Sequence, residues 1–349
     1  MTTKEPPHSQ LPSTSVVICA YTEDRWDALV QSVSSVVRQT VPARELVVVV
    51  DHNPSLLARC ARELPDVVVV PNAEEAGLAG ARNTGVTVSA GVVVAFLDDD
   101  ARAEPDWLEN LLPHYADPEV LGVGGGISPD WGGPRPAQLP HEFDWVVGCS
   151  YTGLPAGASE VRNLIGANMS IRRNVFDVVG GFARGLGRVR SRPAGCEETE
   201  LCIRALARMQ SGRFIYEPAA VVHHLVGPER QTWAYFRSRC FSEGRSKAVV
   251  AGLVGAGPGL AAERTYVRRV LPRGALNGMR DTLHGDPAGL ARAGWIVAGL
   301  SLTTAGYLAG GITAARERRR PPSLTPALAA GALVTTVGQV ATAIPEESS

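Results

Sequence analysis

From Ser15 onward, short apolar runs alternate with amphipathic stretches. SVVICAY at 15–21 is rich in β-branched residues and then turns polar, and Trp26 to Arg38 carries helical spacing. ELVVVVD at 45–51 is a continuous apolar run ending in an acid. DVVVVPN at 66–72 repeats the pattern, and GVVVAFLDDD at 91–100 repeats it again. Uninterrupted runs of this length suit strands buried on both faces of a parallel sheet. Between the last two runs, GLAGARNTGVTVSA at 77–90 reads as a helix opened by a glycine. This βαβαβ order predicts an α/β, Rossmann-like, doubly wound open sheet, mostly parallel.

After Asp100 the pattern changes. EPDWLENLLPHY at 104–115 reads as a helix, and LGVGGGISP at 121–129 as a strand entering a glycine-rich turn. Residues 129–160 are rich in Pro, Gly and Trp and read as long loops over a site. NLIGANMSIRRNVFDVVGGF then predicts a strand, a turn and a short helix. A helix starting near Glu197 and the strand FIYEPAAVVHH follow. The expected organisation is a disordered lead-in at 1–13, a catalytic domain at 14–250, and a C-terminal helical region at 251–349 with apolar segments at 294–315 and 324–344. The first of these is long enough to span a bilayer, which takes about 20 residues. Both are rich in Ala, Gly and Thr, so insertion is marginal. Spanning by both would put the basic linker RERRRPP outside, against the positive-inside tendency. Helices lying in the interface, with the arginines on anionic headgroups, or packing as a soluble hairpin, avoid that conflict.

Of 349 residues, 45% are apolar and 20% charged, with a net charge of -1, so nothing global points to nucleic-acid binding. Six scattered cysteines without a CxxC pair argue against a disulfide scaffold or structural zinc, and read as reduced cytosolic thiols. MTTKEPPHSQLPSTS lacks the apolar stretch of a signal peptide, which keeps the expected catalytic part on the cytoplasmic side.

Asp98, Asp99 and Asp100 carry the strongest chemical signal, because they follow a buried strand at the edge where open α/β sheets bind ligands. Adjacent carboxylates repel unless a cation or solvent relieves them. Asp98 and Asp100, on alternate positions, can converge. Hard oxygen ligands favour Mg²⁺ or Mn²⁺, which favour diphosphate oxygens. The plain alternative is a solvated turn. Asp51 ends the second strand at the same edge, suited to accept from a nucleobase N–H or a ribose hydroxyl, or else to cap a turn. Arg82 opens the 77–90 helix, either to neutralise phosphate and orient the acids or as a surface arginine. Glu197, Glu198 and Glu200 sit in a first helical turn. The helix dipole explains them blandly, and a general base explains them functionally. Of His223 and His224, strand alternation turns one inward, where an imidazole can complete a metal shell. The GVGGG run is not a dinucleotide loop, since Pro129 and WGGP follow it instead of a helix.

Taken in order, SVVICAYTEDRW, ELVVVVDHNPS, GLAGARNTG, AFLDDD, GANMSIRRNVFDVVGGF and EETELCIR resemble the family 2 glycosyltransferases of GT-A fold, over Ser15 to Lys247. The resemblance implies an inverting transfer from a nucleotide-diphosphate sugar to a hydroxyl, with Mg²⁺ or Mn²⁺ as cofactor. It implies that Ala20, Tyr21 and Thr22 form the first nucleotide-contacting turn and that Asp51 reads the base. Asp98 and Asp100 match the ends of the DxD motif, with Asp100 the direct metal ligand. Glu198, paired with Glu197, stands where the family places its base. Asn168 and Met169 match the acceptor side. Arg82, or an arginine of the Arg237 to Arg245 stretch, is expected to add charge at the leaving group. QxxRW is missing, which disfavours processive synthesis. The tail is similar to that of bacterial and archaeal members acting on polyprenyl- or dolichyl-linked sugars, glucuronosyl transfer included. A lipid-linked sugar acceptor at the cytoplasmic face of a membrane is the corresponding expectation. A sugar nucleotidyltransferase would show a glycine-rich loop with Arg after the first strand, where this chain reads CAYTEDRW. A non-catalytic nucleotide-sugar-binding protein of the same fold is the other alternative.

Overall fold

The computed structural model describes residues 11–183, 195–255 and 261–319. Four parallel strands form its first half: β1 (Thr14–Ala20), β2 (Glu45–Val50), β3 (Val68–Pro71) and β4 (Val93–Asp98). They are linked through α1 (Trp26–Val37), α2 (Pro54–Glu63) and α3 (Leu78–Val88). The second half adds β5 (Ala101–Ala103), α4 (Trp107–Leu111), β6 (Val120–Asp130), β7 (Ser159–Val161), β8 (Asn168–Arg172), α5 (Arg173–Val179), α6 (Glu197–Arg208) and β9 (Arg213–Leu225). The strands join one sheet in the order β3-β2-β1-β4-β8-β6-β9-β5, with β7 beside β9. β8 is antiparallel to β4 and β6, whereas β6 and β9 form a long parallel ladder.

Burial on both faces explains the unbroken apolar runs. Val16, Ile18, Val48, Val50, Ala95 and Leu97 face one core with Leu29, Val33, Leu56 and Trp107. Their neighbours Val17, Val47, Val49, Val94 and Phe96 face the other, with Ala81, Val175, Phe176 and Leu201. Successive strand side chains point to opposite faces, so each must be apolar when both faces are covered.

Four local expectations change. The helix read at 104–115 is α4 followed by a 3-10 turn at Leu112–Ala116, because Pro113 cannot donate to the α-helical ladder. The glycine run at 122–126 does not turn, since β6 continues through it to Asp130. A side chain at Gly125 would collide with the Ala220 carbonyl and the Asn168 amide, so the glycine permits the close approach of β9 and β8. No turn separates β8 from α5. Residues 129–160, expected as loops, include a 3-10 helix at His141–Val147 and most of β7.

The helical region opens with α7 (Trp233–Val254), so the boundary expected at 250 falls inside a helix. It continues through α8 (Ala261–Thr265) and α9 (Leu271–Leu283) to α10 (Ala288–Arg319). At Gly306 an added side chain would meet the Phe241 backbone, so glycine lets α10 lie directly against α7. Ala288–Ile312 is long and apolar enough to cross a membrane, with a mean hydropathy of 1.3 and 22% of its most apolar window buried. The apolar segment expected at 324–344 and most of the lead-in lie outside the described residues.

Candidate active site

β1, β2 and β4 are parallel neighbours, so Ala20, Asp51 and Asp98 emerge at one edge of the sheet. The Asp51 amide donates to the Ala20 carbonyl at 2.7 Å, which ties the first two loops together. Between them opens a cleft of about 520 Å³ of free space, bordered by Ala20, Tyr21, Arg25, Asp51 and the acid triplet.

Asp51 is held as an acceptor. Its Oδ2 receives the Gly77 amide at 2.9 Å, and its Oδ1 receives Asn72 Nδ2 at 2.7 Å. The capping role belongs to Asn53, whose Oδ1 accepts the Leu56 amide at 3.0 Å at the start of α2. Asp51 is therefore not a helix cap, and it borders the cleft with 16% of its side chain exposed.

In the triplet, Asp98 is partly open, whereas Asp99 and Asp100 are buried. Asp100 Oδ2 lies 3.0 Å from both Arg25 Nη1 and Arg230 Nη2, and its Oδ1 lies 3.2 Å from His224 Nε2. Burial alone would raise the Asp100 carboxyl. The charges of His224, Arg230 and Arg25 outweigh it and hold the group far below the usual carboxylate range. Asp99 goes the other way: burial, then the charge of Asp100, push it up to about 7 despite Arg25 at 3.0 Å.

His224 is 3% exposed and faces the triplet because β9 pairs with β5 immediately after it, with Ala101 opposite His224. His223 turns away and meets Glu104 at 2.5 Å. One ligand atom each of Asp98, Asp100 and His224 lie within 4.8 Å of one another. Two carboxylates and an imidazole form a donor set that suits Mn²⁺ or Mg²⁺. His224 Nδ1 is buried without a hydrogen-bond partner.

The second acidic group stands at the start of α6. Arg82, only 2% exposed, reaches from α3 to donate Nη1 to Glu197 Oε1 at 2.8 Å and Nη2 to the Gly166 carbonyl at 3.0 Å. The same Nη2 lies 3.5 Å from Asp98 Oδ1. Arg82 is thus a buried bridge between the triplet and the glutamate pair. Glu198 is partly exposed next to it. Burial, then the Glu197 charge, push the Glu198 carboxyl up to about 8, with Arg82 offsetting part of the rise. Glu200 is tied to Arg204 at 2.6 Å and takes no part.

The expectation for Asn168 and Met169 does not hold for their side chains. Both are fully buried in β8. Asn168 accepts from Trp107 Nε1 at 2.8 Å and donates to the Gly126 and Ala220 carbonyls at 2.9 Å, so its polar atoms are satisfied inside the sheet. Met169 packs in the second core. In the Arg237 to Arg245 stretch, Arg239 is paired with Glu243 at 2.8 Å and Arg237 and Arg245 are exposed. Arg25 and Arg230 were not anticipated. The available signal is the triplet itself, since adjacent carboxylates repel unless cations or solvent relieve them.

Residues 15–180 match the model of glycosyl transferase family 2. A glucosyl-dolichyl phosphate glucuronosyltransferase of Haloferax volcanii is 38% identical over 240 residues, covering 68% of this chain and 76% of that one. The chain belongs to glycosyl transferase family 2. The succinoglycan biosynthesis protein ExoM of Rhizobium meliloti is 26% identical over 238 residues, covering 66% of this chain and 72% of its own. Among solved structures, a mannosyltransferase of Pyrobaculum calidifontis in complex with GDP-Man and Mn²⁺ aligns with a TM-score of 0.53 at 19% identity. The alignment covers 85% of this chain and 88% of that one, and shows that the fold is GT-A. As a family 2 glycosyltransferase the chain is an enzyme, which sets aside both the nucleotidyltransferase and the non-catalytic alternative.

Proposed function

We propose that this glycosyltransferase is inverting and metal-dependent, and moves a sugar from a nucleotide-diphosphate donor to a hydroxyl of a lipid-phosphate-linked acceptor at the cytoplasmic face of a membrane. One observation carries the reading. Through the buried Arg82, the acids suited to a cation and donor diphosphate are connected to Glu197, the neighbour of Glu198. Asp51 offers a fixed acceptor to the base or ribose, and Ala20 and Tyr21 line the same opening.

Asp98, Asp100 and His224 would hold Mn²⁺ or Mg²⁺, which supplies charge neutralisation for a departing nucleoside diphosphate. Glu198 takes the proton from the acceptor hydroxyl as that oxygen attacks the anomeric carbon from the face opposite the leaving group. A single displacement of this kind inverts the configuration. A carboxyl raised toward neutrality by burial is a better proton acceptor than an ordinary one, while still ionised in part near physiological pH. Glu197, held by Arg82, contributes the charge that raises it.

The acceptor class is drawn from the relative that acts as a glucosyl-dolichyl phosphate glucuronosyltransferase, and from α10. There Val297, Leu308 and Ile312 are 56–61% exposed, within a stretch that carries no charge from Ala293 to Ala315. An uncovered apolar stripe of that length suits the acyl boundary of a bilayer.

The test is a panel of nucleotide sugars assayed for nucleoside diphosphate release with Mn²⁺ and with a chelator, using a polyprenyl-phosphate-linked sugar as acceptor. The reading expects metal-dependent release and a product of inverted anomeric configuration by NMR. Release that persists in chelator, or retained configuration, would reject it.

A further inference from the structure

Asp100 is already engaged. Both of its neighbours at Oδ2 are guanidinium nitrogens, Arg25 Nη1 and Arg230 Nη2, each at 3.0 Å. Arg25 Nη1 also lies 3.0 Å from Asp99 Oδ1. Arg230 is 7% exposed, and its Nη1 lies 3.5 Å from His224 Nε2. The two arginines therefore contact two of the three side chains suited to ligate a divalent ion. A cation approaching Asp100 meets two fixed positive charges in a low-dielectric pocket, where like charges repel far more strongly than in water. Neither arginine can deprotonate to relieve this.

We propose that Arg25 and Arg230 are built-in competitors for the cation site, so that divalent metal binds strongly only together with a nucleoside diphosphate. This rests on the metal-dependent reading above. The diphosphate brings the oxygens that guanidinium groups prefer, and planar forks match phosphate geometry. When those oxygens arrive, the arginines exchange Asp100 for phosphate and the carboxylate is released to the cation. Arg25 is placed for this exchange. It lies on the cleft beside Tyr21, with its guanidinium 5.4 Å from the ring centroid and 23% of its side chain exposed. Arg230 is the buried half of the pair and lies within the 3-10 turn Pro228–Gln231, just before the start of α7. No covalent step is involved; each exchange swaps one ion pair for another. Linkage makes the effect reciprocal, so the metal must improve nucleotide affinity by the factor by which nucleotide improves metal affinity.

The test is a titration of the full chain with Mn²⁺ alone, and with Mn²⁺ in saturating UDP or GDP, read by electron paramagnetic resonance of free Mn²⁺ and by calorimetry. The wild-type chain is expected to bind Mn²⁺ weakly without nucleotide and about tenfold or more tightly with it, the usual range of coupling. In Arg25→Met and Arg230→Met, Mn²⁺ affinity without nucleotide is expected to rise by about tenfold, and the gain from nucleotide to shrink by a similar factor. Arg230→Met leaves a buried carboxylate short of a partner. Its unfolding midpoint is expected to fall in chelator and to recover in Mn²⁺ by more than the wild-type midpoint rises, which keeps the test readable if the variant is weakened. Arg25→Met, at a half-buried site, provides the second readout. Variants that bind Mn²⁺ no better than wild type without nucleotide would overturn this proposal and leave the metal-dependent reading standing. Mn²⁺ that binds no form under any condition would overturn both.

Discussion

Replacing Arg82 with methionine keeps the aliphatic stem and deletes the charge that joins the two halves of the site. Three contacts go: Glu197 at 2.8 Å, the Gly166 carbonyl at 3.0 Å and Asp98 at 3.5 Å. Glu197 is the partner that suffers most, since it is 3% exposed and its Oε2 has no hydrogen bond to begin with. Removing one member of a buried ion pair costs about 3–5 kcal/mol, because the other charge is left in a poor solvent. In a domain of this size each kcal/mol lowers Tm by roughly 2–4 °C, so the expected drop is roughly 6–20 °C by circular dichroism. A second consequence is chemical. Arg82 offsets part of the rise in the Glu198 carboxyl, so without it that group climbs further. A general base acts ionised, so the acidic limb of the kcat/KM profile should move to higher pH. Arg82→Lys, which keeps the charge and loses the fork, should fall between the two. A methionine variant that melts within about 2 °C of wild type, with an unmoved acidic limb, would show that Arg82 is not the bridge described.

Three more outcomes follow from the same geometry. Glu198→Gln should abolish transfer and stabilise the protein in alkali: the folded carboxyl titrates at about 8 against an ordinary 4.5, so wild-type stability falls as pH rises between these values. The variant's Tm should exceed wild type above that window and match it below. Glu243→Gln tests the opposite sign in the helical region. Burial raises the Glu243 carboxyl, but Lys247 and Arg239 override it and hold it at about 2 against 4.5. Its stabilisation is present above 4.5 and lost as pH falls toward 2, so the variant should lose about 3 kcal/mol at neutral pH and converge on wild type in acid, measured by urea unfolding. Val297→Asp with Leu308→Asp should reduce co-sedimentation with anionic vesicles by about tenfold or more, since each exposed side chain offers about 1.5–3 kcal/mol on burial. Tm in solution should not change.

Much of this was legible in the sequence because burial on both sheet faces leaves a distinctive trace. Runs such as ELVVVV cannot alternate, so the parallel half of the sheet and the acids at its edge could be read directly. The gathering of Asp51, Asp98 and Asp100 at one edge is legible from their positions at strand ends, whereas the role proposed for Glu198 comes from a resemblance in motif order. Whether His223 or His224 faces the site depends on the β5–β9 register, a non-local pairing that alternation alone does not settle. No local pattern marks Arg25 and Arg230, because their contacts span 74 and 130 residues. Asn168 differs from its expectation for another reason. A polar residue in a motif suggests a ligand, yet here the glycines of β6 bring two carbonyls close enough to satisfy its amide inside the core. The same glycines imitate a turn in one dimension and act as close-packing positions in three.

Asp51, the Asp98–Asp100 triplet, His224 of β9 and the Glu197–Glu198 pair of α6 are proposed to share one cation-bearing cleft. A crystal structure of the full chain with Mn²⁺ and a nucleoside diphosphate tests it most directly. Anomalous density is expected for one manganese ion coordinated by Asp98, Asp100 and His224, with diphosphate oxygens completing its shell and Glu198 facing the terminal phosphate across the cleft. Manganese bound elsewhere, or a nucleotide seated away from Asp51 and the triplet, would contradict it.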